Sequence, residues 1–260
     1  MIRHIAENRK EELLALAQSD PLGIRLAVNA LAYGLTSPFF DVWLQEAGGE
    51  VTGAVGRLDG AGTLLAADGF DEEEMASFLQ AVGMERLLCG ERAAARLPFL
   101  RVQSALLLTQ PMPAPGRETG LFFDYAPSPR LLYPLLQAGS GESIALPPFD
   151  GWYVDVSHKQ RRGLIRAVAA YKGEELVGCA MTAGETEGRA LVSGVAVTPR
   201  HRGRGFGQAV TAALTGELHR AGKEVFLLRA KGENEAFYRS LGFLPCGEYA
   251  FLRPGGKENG

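Results

Sequence analysis

Arg202-Gly203-Arg204-Gly205-Phe206-Gly207 lies between a strand-like apolar run, residues 192–197, and a helical pattern of apolar residues that ends at Gly222. Glycines allow the backbone to turn sharply and to approach a ligand closely. The first N–H groups of the following helix have no intrahelical partner, and the helix dipole favours an anion beside them. Together with the guanidinium groups of Arg200, Arg202 and Arg204, this context predicts a phosphate-binding loop.

Two well-known phosphate loops do not fit this stretch. A Walker A loop ends in Gly-Lys-Ser/Thr, whereas this chain has Gly207-Gln208-Ala209. A dinucleotide fold needs G-x-G-x-x-G and an acidic residue after the next strand, whereas here the spacing is G-x-G-x-G and Arg229-Ala230-Lys231 ends that strand. The pattern Arg202-x-x-Gly205-x-Gly207 after a strand resembles the coenzyme A pyrophosphate loop of the GNAT superfamily of N-acetyltransferases.

A second motif downstream supports this resemblance. A buried-strand pattern at 224–229 is followed by Asn234-Glu235-Ala236-Phe237-Tyr238-Arg239-Ser240-Leu241-Gly242-Phe243. This segment is similar to the GNAT signature Asn-x-x-x-x-Tyr-x-x-Leu-Gly-Phe. Asn234 and Tyr238 are four residues apart, one fewer than in that signature, so they fall on one helical face. The resemblance covers residues 150–253.

The resemblance implies that acetyl-CoA is the acyl donor and assigns residues to it. The residues that it implies for cofactor binding are Val195, Ala196, Val197, Arg202, Gly203, Arg204, Gly205, Phe206, Gly207 and Asn234. It also implies that Tyr238 protonates the leaving thiolate as the catalytic acid. Two other interpretations stay open: Asn234 as the N-cap of its helix, and Tyr238 as a core residue with its hydroxyl at the surface.

The activity implied is direct transfer of an acetyl group to a primary amine of a small molecule or an amino acid. A general base must take the proton of the amine. Many family members have a glutamate on the strand before the phosphate loop, whereas this chain has Ser193 there. Glu185, Glu187 and His158 are therefore open as the base. The candidate acceptor contacts are Tyr153, Asp155, His158 and Arg161.

The length of the chain, 260 residues, suits two domains of ordinary size. The alternating prolines of 110–116 predict a linker. We expect an N-terminal domain at 1–110, a linker at 111–120 and the catalytic domain at 121–260. The predicted order of helices and strands is similar in both halves. We therefore predict an α/β fold of two tandem GNAT-like domains, each a mixed, centrally splayed β-sheet flanked by helices.

The N-terminal half carries acidic residues where the C-terminal half carries its glycine-rich loop. Its sequence there is Asp68-Gly69-Phe70-Asp71-Glu72-Glu73-Glu74. Carboxylates at the positive end of a helix repel a pyrophosphate, although they also stabilise a helix start without any such role. We expect this domain to be degenerate, with one cofactor site per chain.

Composition argues against several other classes of protein. Residues 1–120 hold ten Lys and Arg against sixteen Asp and Glu, and 121–260 hold seventeen against fourteen, an excess too small for nucleic-acid binding. No run of eighteen apolar residues predicts a membrane span, and the start lacks the pattern of a secretory leader. Three separated cysteines and four histidines show no disulfide or metal-ligand spacing.

We therefore expect a cytoplasmic, metal-free enzyme that binds neither nucleic acid nor membrane. Three alternatives stay open on the sequence alone. The chain is compatible with a non-catalytic GNAT-fold module that binds coenzyme A or a protein partner. It is also compatible with an acyltransferase for a longer acyl-CoA, since Gly194 and Ala196 leave room on the cofactor strand. A homodimer is equally compatible with the sequence.

Overall fold

A computed structural model describes residues 1–116, 119–139 and 146–254 of the chain. In chain order, the helices and strands are β1 (Ile2–His4), α1 (Lys10–Ala17), α2 (Gly23–Tyr33), β2 (Phe40–Ala47), β3 (Glu50–Leu58), β4 (Ala61–Ala66), α3 (Glu72–Ala81), β5 (Arg86–Gly90), α4 (Glu91–Ala94), β6 (Leu100–Gln110), β7 (Phe122–Asp124), α5 (Pro129–Gly139), α6 (Phe149–Arg161), β8 (Ala167–Lys172), β9 (Glu175–Glu185), β10 (Arg189–Val197), α7 (Phe206–Arg220), β11 (Glu224–Ala230), α8 (Glu235–Ser240) and β12 (Leu244–Arg253).

These elements form two units. Unit 1 contains Met1–Leu107, Arg229–Glu233 and the described residues from Pro245 onward, and unit 2 contains the described residues of Leu108–Leu228 together with Asn234–Leu244. The chain therefore passes between the units more than once. The division at 1–110, 111–120 and 121–260 assumes a single passage at the proline-rich segment, and as limits of separate folding domains it stays a prediction.

The sheet of unit 1 is mixed and opens near its centre. Its strands run in the order β1-β2-β3-β4-β5-β12. Only β4 and β5 of these pair in parallel, from Ala61 opposite Arg86 to Leu64 opposite Cys89, and β4 then continues beyond the last pair. On the other side of β5, β12 adds an antiparallel strand whose Ala250 and Leu252 are buried in the core of the unit.

The sheet of unit 2 repeats this arrangement with the strand order β11-β10-β9-β8-β7. β10 and β11 are parallel, and the other pairs are antiparallel. Helix α7 packs on β8, β9 and β10, while α5 packs on β9 and β10. The core around α5 and α6 contains Leu132, Leu136, Trp152, Met181 and Ala196.

Most of the predicted elements have their expected type and position. The sequence patterns did not predict β1 and β7, which have three residues each and owe their extended form to pairing with β2 and β8. Helix α6 begins at Phe149, whose ring packs on Tyr133 at 5.1 Å. The predicted mixed, centrally splayed sheets flanked by helices are present in both units.

Candidate functional site

Strand β10 carries a bulge immediately before the predicted loop. Ser193 pairs with Met181 of β9, and Ala196 pairs with Cys179, so β10 has one residue more than β9 over this stretch. Gly194 takes a positive φ of 54° within the bulge. A bulge bends a strand and redirects its side chains and backbone groups. The second half of β10 therefore departs from regular sheet geometry.

The parallel pairing between β10 and β11 ends where the bulge begins. Its last pair is Val192 with Leu227. In the described part of the chain, residues 193–197 of β10 have no pairing partner on β11. Their backbone groups on that side can therefore pair with an extended ligand. Three of the predicted cofactor residues, Val195, Ala196 and Val197, lie in this segment.

The backbone amides of residues 203–207 lie at the end of this open segment. Gly203 and Gly205 have φ values of +74° and +80°, a region that glycine enters without strain. Gly205 is the N-cap of α7, and no side chain caps the helix. Among the residues that the structure describes, the amide nitrogens of 203–207 have no hydrogen-bond acceptor. These adjacent donors at a positive helix end suit an oxyanion.

The side chains of the loop differ in their surroundings. Arg202 donates from Nε to the Val197 carbonyl at 3.4 Å and from Nη2 to the Ala138 carbonyl at 3.3 Å. Arg204 is exposed. The ring of Phe206 is buried and stacks on His201 at 5.9 Å, so its side chain belongs to the core and only its backbone N–H faces a ligand position.

Close packing holds α8 beside the start of α7. A side chain on Gly207 would lie 3.2 Å from the Phe237 ring and 3.3 Å from Val197. Gln208 donates to the Ser240 hydroxyl at 2.7 Å. The absence of a side chain at Gly207 therefore allows the two predicted motifs to meet in one place.

Asn234 and Tyr238 both lie on this second helix. Asn234 occupies the N-cap position with a φ of +51°, yet its side chain makes no capping hydrogen bond. Its carbonyl accepts the Tyr238 N–H at 3.1 Å, one turn later. The Tyr238 ring packs edge-on against Phe237 at 4.9 Å and Phe243 at 5.8 Å. The contacts of both side chains with a cofactor stay a prediction.

One family model matches part of the chain. Residues 164–245 match the family model described as an acetyltransferase (GNAT) domain. This segment belongs to the GNAT superfamily. The match contains the bulged strand, the glycine-rich loop and the helix with Tyr238, and it supports acyl transfer as the general activity. No protein of curated function matches the chain in sequence.

Solved structures share the fold over almost the entire chain. A tandem GNAT protein from the clavulanic acid biosynthesis pathway is 17% identical, with 99% of both chains covered and a TM-score of 0.65. A GCN5-related N-acetyltransferase from Sphaerobacter thermophilus is 18% identical, covering 99% of this chain and 97% of that chain, with a TM-score of 0.68. An acetyltransferase of the GNAT family from Colwellia psychrerythraea is 13% identical, covering 97% and 99%, with a TM-score of 0.61. The predicted tandem GNAT-like fold is confirmed.

Helix α5 covers the bulged half of β10 in the GNAT segment. A side chain on Gly139, at the end of α5, would lie 2.6 Å from the Ala196 Cβ. A side chain on Gly194 would lie 3.2 Å from Leu136 of the same helix. Helix α6 packs in turn on α5, with the rings of Tyr133 and Trp152 5.1 Å apart. These helices therefore border the side of the GNAT strand where the sheet is distorted.

The predicted acceptor contacts lie on α6: Tyr153, Asp155, His158 and Arg161. Tyr153 stacks on Phe149 at 5.5 Å, and the Arg130 guanidinium lies 5.1 Å from its ring centre. Asp155 forms an ion pair of 2.7 Å with the buried Lys159. That ion pair occupies the carboxylate, so Asp155 is less suited to a substrate amine than the sequence suggests.

Glu185 has a structural role at the other end of β10. Its buried carboxylate pairs with Arg166 at 2.8 Å and with Lys223 at 3.6 Å, and it accepts a hydrogen bond from Thr182 at 3.1 Å. It lies opposite Ala190, six residues before Ala196, or roughly 20 Å along a strand. Among the bases that the sequence leaves open, Glu185 is therefore excluded by its position. Glu187 lies in the adjoining turn between β9 and β10 and is likewise far from Ala196 along the strand.

Cys179 is also excluded as a nucleophile. The thiol is buried in β9, and burial raises its pKa to about 12. Its sulfur lies 3.7 Å from the Gly194 carbonyl oxygen, so the thiol contacts the backbone of the bulge. A thiol with this pKa is protonated at neutral pH and therefore unreactive.

Several backbone N–H groups of the corresponding loop in unit 1 have protein acceptors. Asp71 caps α3 by accepting the Glu74 N–H at 2.9 Å, and the Asp71 N–H is taken by the side chain of the buried Gln45 at 3.0 Å. The Phe70 N–H donates to the Ala67 carbonyl. The pKa of Glu72 is lowered, chiefly by its own backbone N–H and then by Arg96. Protein acceptors therefore bind the N–H groups of Phe70, Asp71 and Glu74, whereas the N–H groups of 203–207 in unit 2 have no acceptor among the described residues.

Two further observations concern other kinds of site. In the described ranges, none of the helices combines the length and the apolar character that crossing a bilayer requires. The described residues also contain no cluster of three or more His, Cys, Asp or Glu side chains arranged to hold a metal ion.

Proposed function

We propose that the GNAT cleft of unit 2 transfers an acetyl group from acetyl-CoA to a primary amine of a small molecule or an amino acid. One observation carries this proposal: the backbone N–H groups of residues 203–207 have no acceptor among the described residues and surround the start of a helix. A pyrophosphate provides the anionic oxygens that such donors bind.

The open half of β10 supports the rest of the cofactor. The backbone of Val195, Ala196 and Val197 would pair with the pantetheine amides, because β11 does not pair with this segment. Arg202 and Arg204 would add positive charge beside the phosphates. Asn234 would contact the cofactor from the start of α8.

Tyr238 would serve as the catalytic acid. In direct transfer, the amine lone pair forms the new C–N bond, the C–S bond breaks, and the hydroxyl of Tyr238 protonates the leaving thiolate. A general base takes the proton from the amine nitrogen. His158 is the remaining candidate base, because α6 packs on α5 and α5 packs on the bulged strand.

The proposed location is the cytoplasm. All three cysteines, Cys89, Cys179 and Cys246, are free thiols. Free thiols fit a compartment in which disulfides are kept reduced.

The decisive experiment is calorimetric titration of the full chain with acetyl-CoA. Binding at one site in the wild type should be lost in Gly205→Glu, because the substitution places a carboxylate at the phosphate position and requires a positive φ. Gly188→Glu is the matched control, since Gly188 lies exposed in the turn between β9 and β10 with no neighbour within 4 Å of an added Cβ. Equal affinity in Gly205→Glu and the wild type would overturn the loop assignment.

Turnover and acyl preference are tested on the same samples. An acetyl-transfer assay with a panel of small amines should show coenzyme A release that depends on the amine. Binding without turnover for any amine would instead support a non-catalytic module. Faster turnover with a longer acyl-CoA would support the longer acyl donor. Light scattering distinguishes a monomer from the homodimer that the sequence leaves open.

A further inference from the structure

Unit 1 contains a cleft of its own where β4 and β5 stop pairing. A cavity of about 270 Å³ opens between the end of β4 and Gly90, and Tyr249 of β12 forms another wall. This volume lies just below the range of pockets that hold drug-sized ligands. At the neighbouring helix start, the N–H groups of Phe70, Asp71 and Glu74 are bound by protein acceptors and are closed to a phosphate.

Most charged side chains on the cavity wall have an oppositely charged partner. Four of them form ion pairs, with separations of 2.5 to 3.4 Å: Glu91 with Arg101, Arg92 with Asp68, Arg96 with Glu72, and Glu248 with Lys231. These pairs leave little net charge for recognising a ligand. The charged side chain best placed to recognise a ligand is therefore one that has no ion-pair partner.

Asp20 provides that charge. Its Oδ1 accepts hydrogen bonds from the Leu22 N–H at 2.7 Å and from the Tyr249 hydroxyl at 3.0 Å. Both donors are neutral, and within the described ranges of the chain no cationic group lies within the 4.0 Å of an ion pair with Asp20. The two bonds orient the carboxylate and leave its second oxygen for another donor.

Tyr249 is a buried hydrogen-bond donor to Asp20. Only 6% of its surface is exposed. Burial, reinforced by the neighbouring Asp20, raises the pKa of this phenol far above its usual value. The Tyr249 hydroxyl therefore keeps its proton at neutral pH and donates it to Asp20.

Part of the cavity wall is apolar. Leu64, Phe70 and Ala93 line it and are buried in the core of unit 1. Their side chains suit a hydrocarbon group that leaves water on binding. A carboxylate forms short, strong hydrogen bonds with an ammonium group, and the apolar side chains beside it can contact the hydrocarbon part of an amine.

We propose that this cleft of unit 1 binds a small primary amine, with its ammonium group on Asp20 and its hydrocarbon part against Leu64, Phe70 and Ala93. The site is separate from the acceptor position of the GNAT cleft in unit 2. It gives the degenerate unit a binding function that does not depend on coenzyme A.

The test uses 3-methylbutylamine as the probe, titrated into the full chain by calorimetry. The uncharged 3-methylbutan-1-ol and the anionic 4-methylpentanoate are matched ligands of similar shape. The amine should bind at least about tenfold more tightly than either, because a hydrogen bond to a charged group is worth more than a neutral one. An alcohol that binds as tightly as the amine would contradict the proposal.

The substitution Asp20→Asn tests whether the amine binds at Asp20. The substitution retains an acceptor for Leu22 and Tyr249 but removes the charge, so the amine affinity should fall about tenfold or more. Glu248→Gln, which removes an exposed and already paired carboxylate on the same wall, should leave the affinity within about twofold. Unchanged amine binding in Asp20→Asn would place the amine elsewhere and overturn the proposal.

Two further measurements keep the result interpretable. Ala67→Leu fills the exposed mouth of the cavity and should abolish amine binding even if Asp20→Asn is too unstable to study. Acetyl-CoA affinity should be unchanged in both variants, and amine binding to Asp20 should survive in Gly205→Glu. Failure of the amine site and failure of the GNAT cofactor site are thus observed separately. Retained amine binding in Ala67→Leu would contradict the cavity assignment.

Discussion

Individual titratable residues receive their roles from the groups packed around them. Glu185 and Tyr238 were both candidates for proton transfer on sequence alone. Glu185 lies between Arg166 and Lys223 in a buried ion-pair network, which fixes it as a structural residue. Tyr238 lies half-buried on α8, next to the glycine-rich loop that packs against Phe237. Its surroundings are therefore compatible with chemistry, whereas those of Glu185 are not.

Tyr238→Phe tests the role of the hydroxyl. The ring contacts with Phe237 and Phe243 are retained, so the fold and acetyl-CoA affinity should stay within about twofold of wild type. The turnover number should fall about 100-fold, the low end of what positioned proton transfer contributes. Steady-state kinetics together with calorimetry separates these effects.

Tyr171→Phe is the matched control for this substitution. Tyr171 lies on β8 and packs on Phe122, two strands away from β10 in the sheet of unit 2. Removal of the Tyr171 hydroxyl should leave the turnover number unchanged. Equal turnover in Tyr238→Phe and wild type would make Tyr238 a packing residue only.

The element that distinguishes the two units is the loop that begins a helix. In unit 1, the Gln45 side chain accepts the Asp71 N–H, and the Asp71 side chain accepts the Glu74 N–H in the first turn of α3. In unit 2, Gly205 begins α7 without a side-chain cap. In the same strand–loop–helix arrangement, side chains therefore bind part of the backbone donors in unit 1, whereas the donors of 203–207 in unit 2 have no acceptor among the described residues.

The arginines of the open loop should contribute unequally to cofactor affinity. Arg204 has no carboxylate within ion-pair distance among the described residues, whereas Arg200 pairs with Glu175 at 2.6 Å. Arg204→Ala should weaken acetyl-CoA binding about fivefold and flatten its dependence on salt concentration. Arg200→Ala is the control and should change the affinity less than twofold. The proposed placement of the phosphates would be wrong if Arg200→Ala had the larger effect in calorimetry at low and high salt.

At the scale of the whole molecule, the path of the chain is less simple than a two-domain sequence suggests. After the residues that form unit 2, the chain returns to unit 1, where β12 pairs with β5 from Tyr249 to Leu252. The Tyr249 hydroxyl of this strand also donates a hydrogen bond to Asp20. The stability of unit 1 therefore depends on residues more than 130 positions away from the end of β6 along the chain.

Truncation after Phe243, which removes β12, tests this dependence. Two buried residues of the unit 1 core, Ala250 and Leu252, are lost with the strand. The free energy of unfolding should fall by about 3 kcal/mol or more, given the usual value of burying such side chains. Hydrogen exchange should show lost protection in the amides of β5.

Truncation after Pro254 is the control for the same experiment, since it keeps all of β12. It should leave exchange in β5 unchanged. Full protection of β5 in the shorter chain would show that β12 contributes little to the sheet of unit 1.

The local order of helices and strands, the glycine-rich loop and the second GNAT motif were all predictable from the sequence. Glycine spacing, apolar periodicity and acidic helix starts act on neighbouring residues, so they can be read along the chain. The pairing of Glu185 with Arg166, the filling of the unit 1 loop by Gln45 and the return of β12 to β5 were decided only by the tertiary structure. These features depend on contacts between residues far apart in sequence, and local patterns carry no information about which distant groups meet.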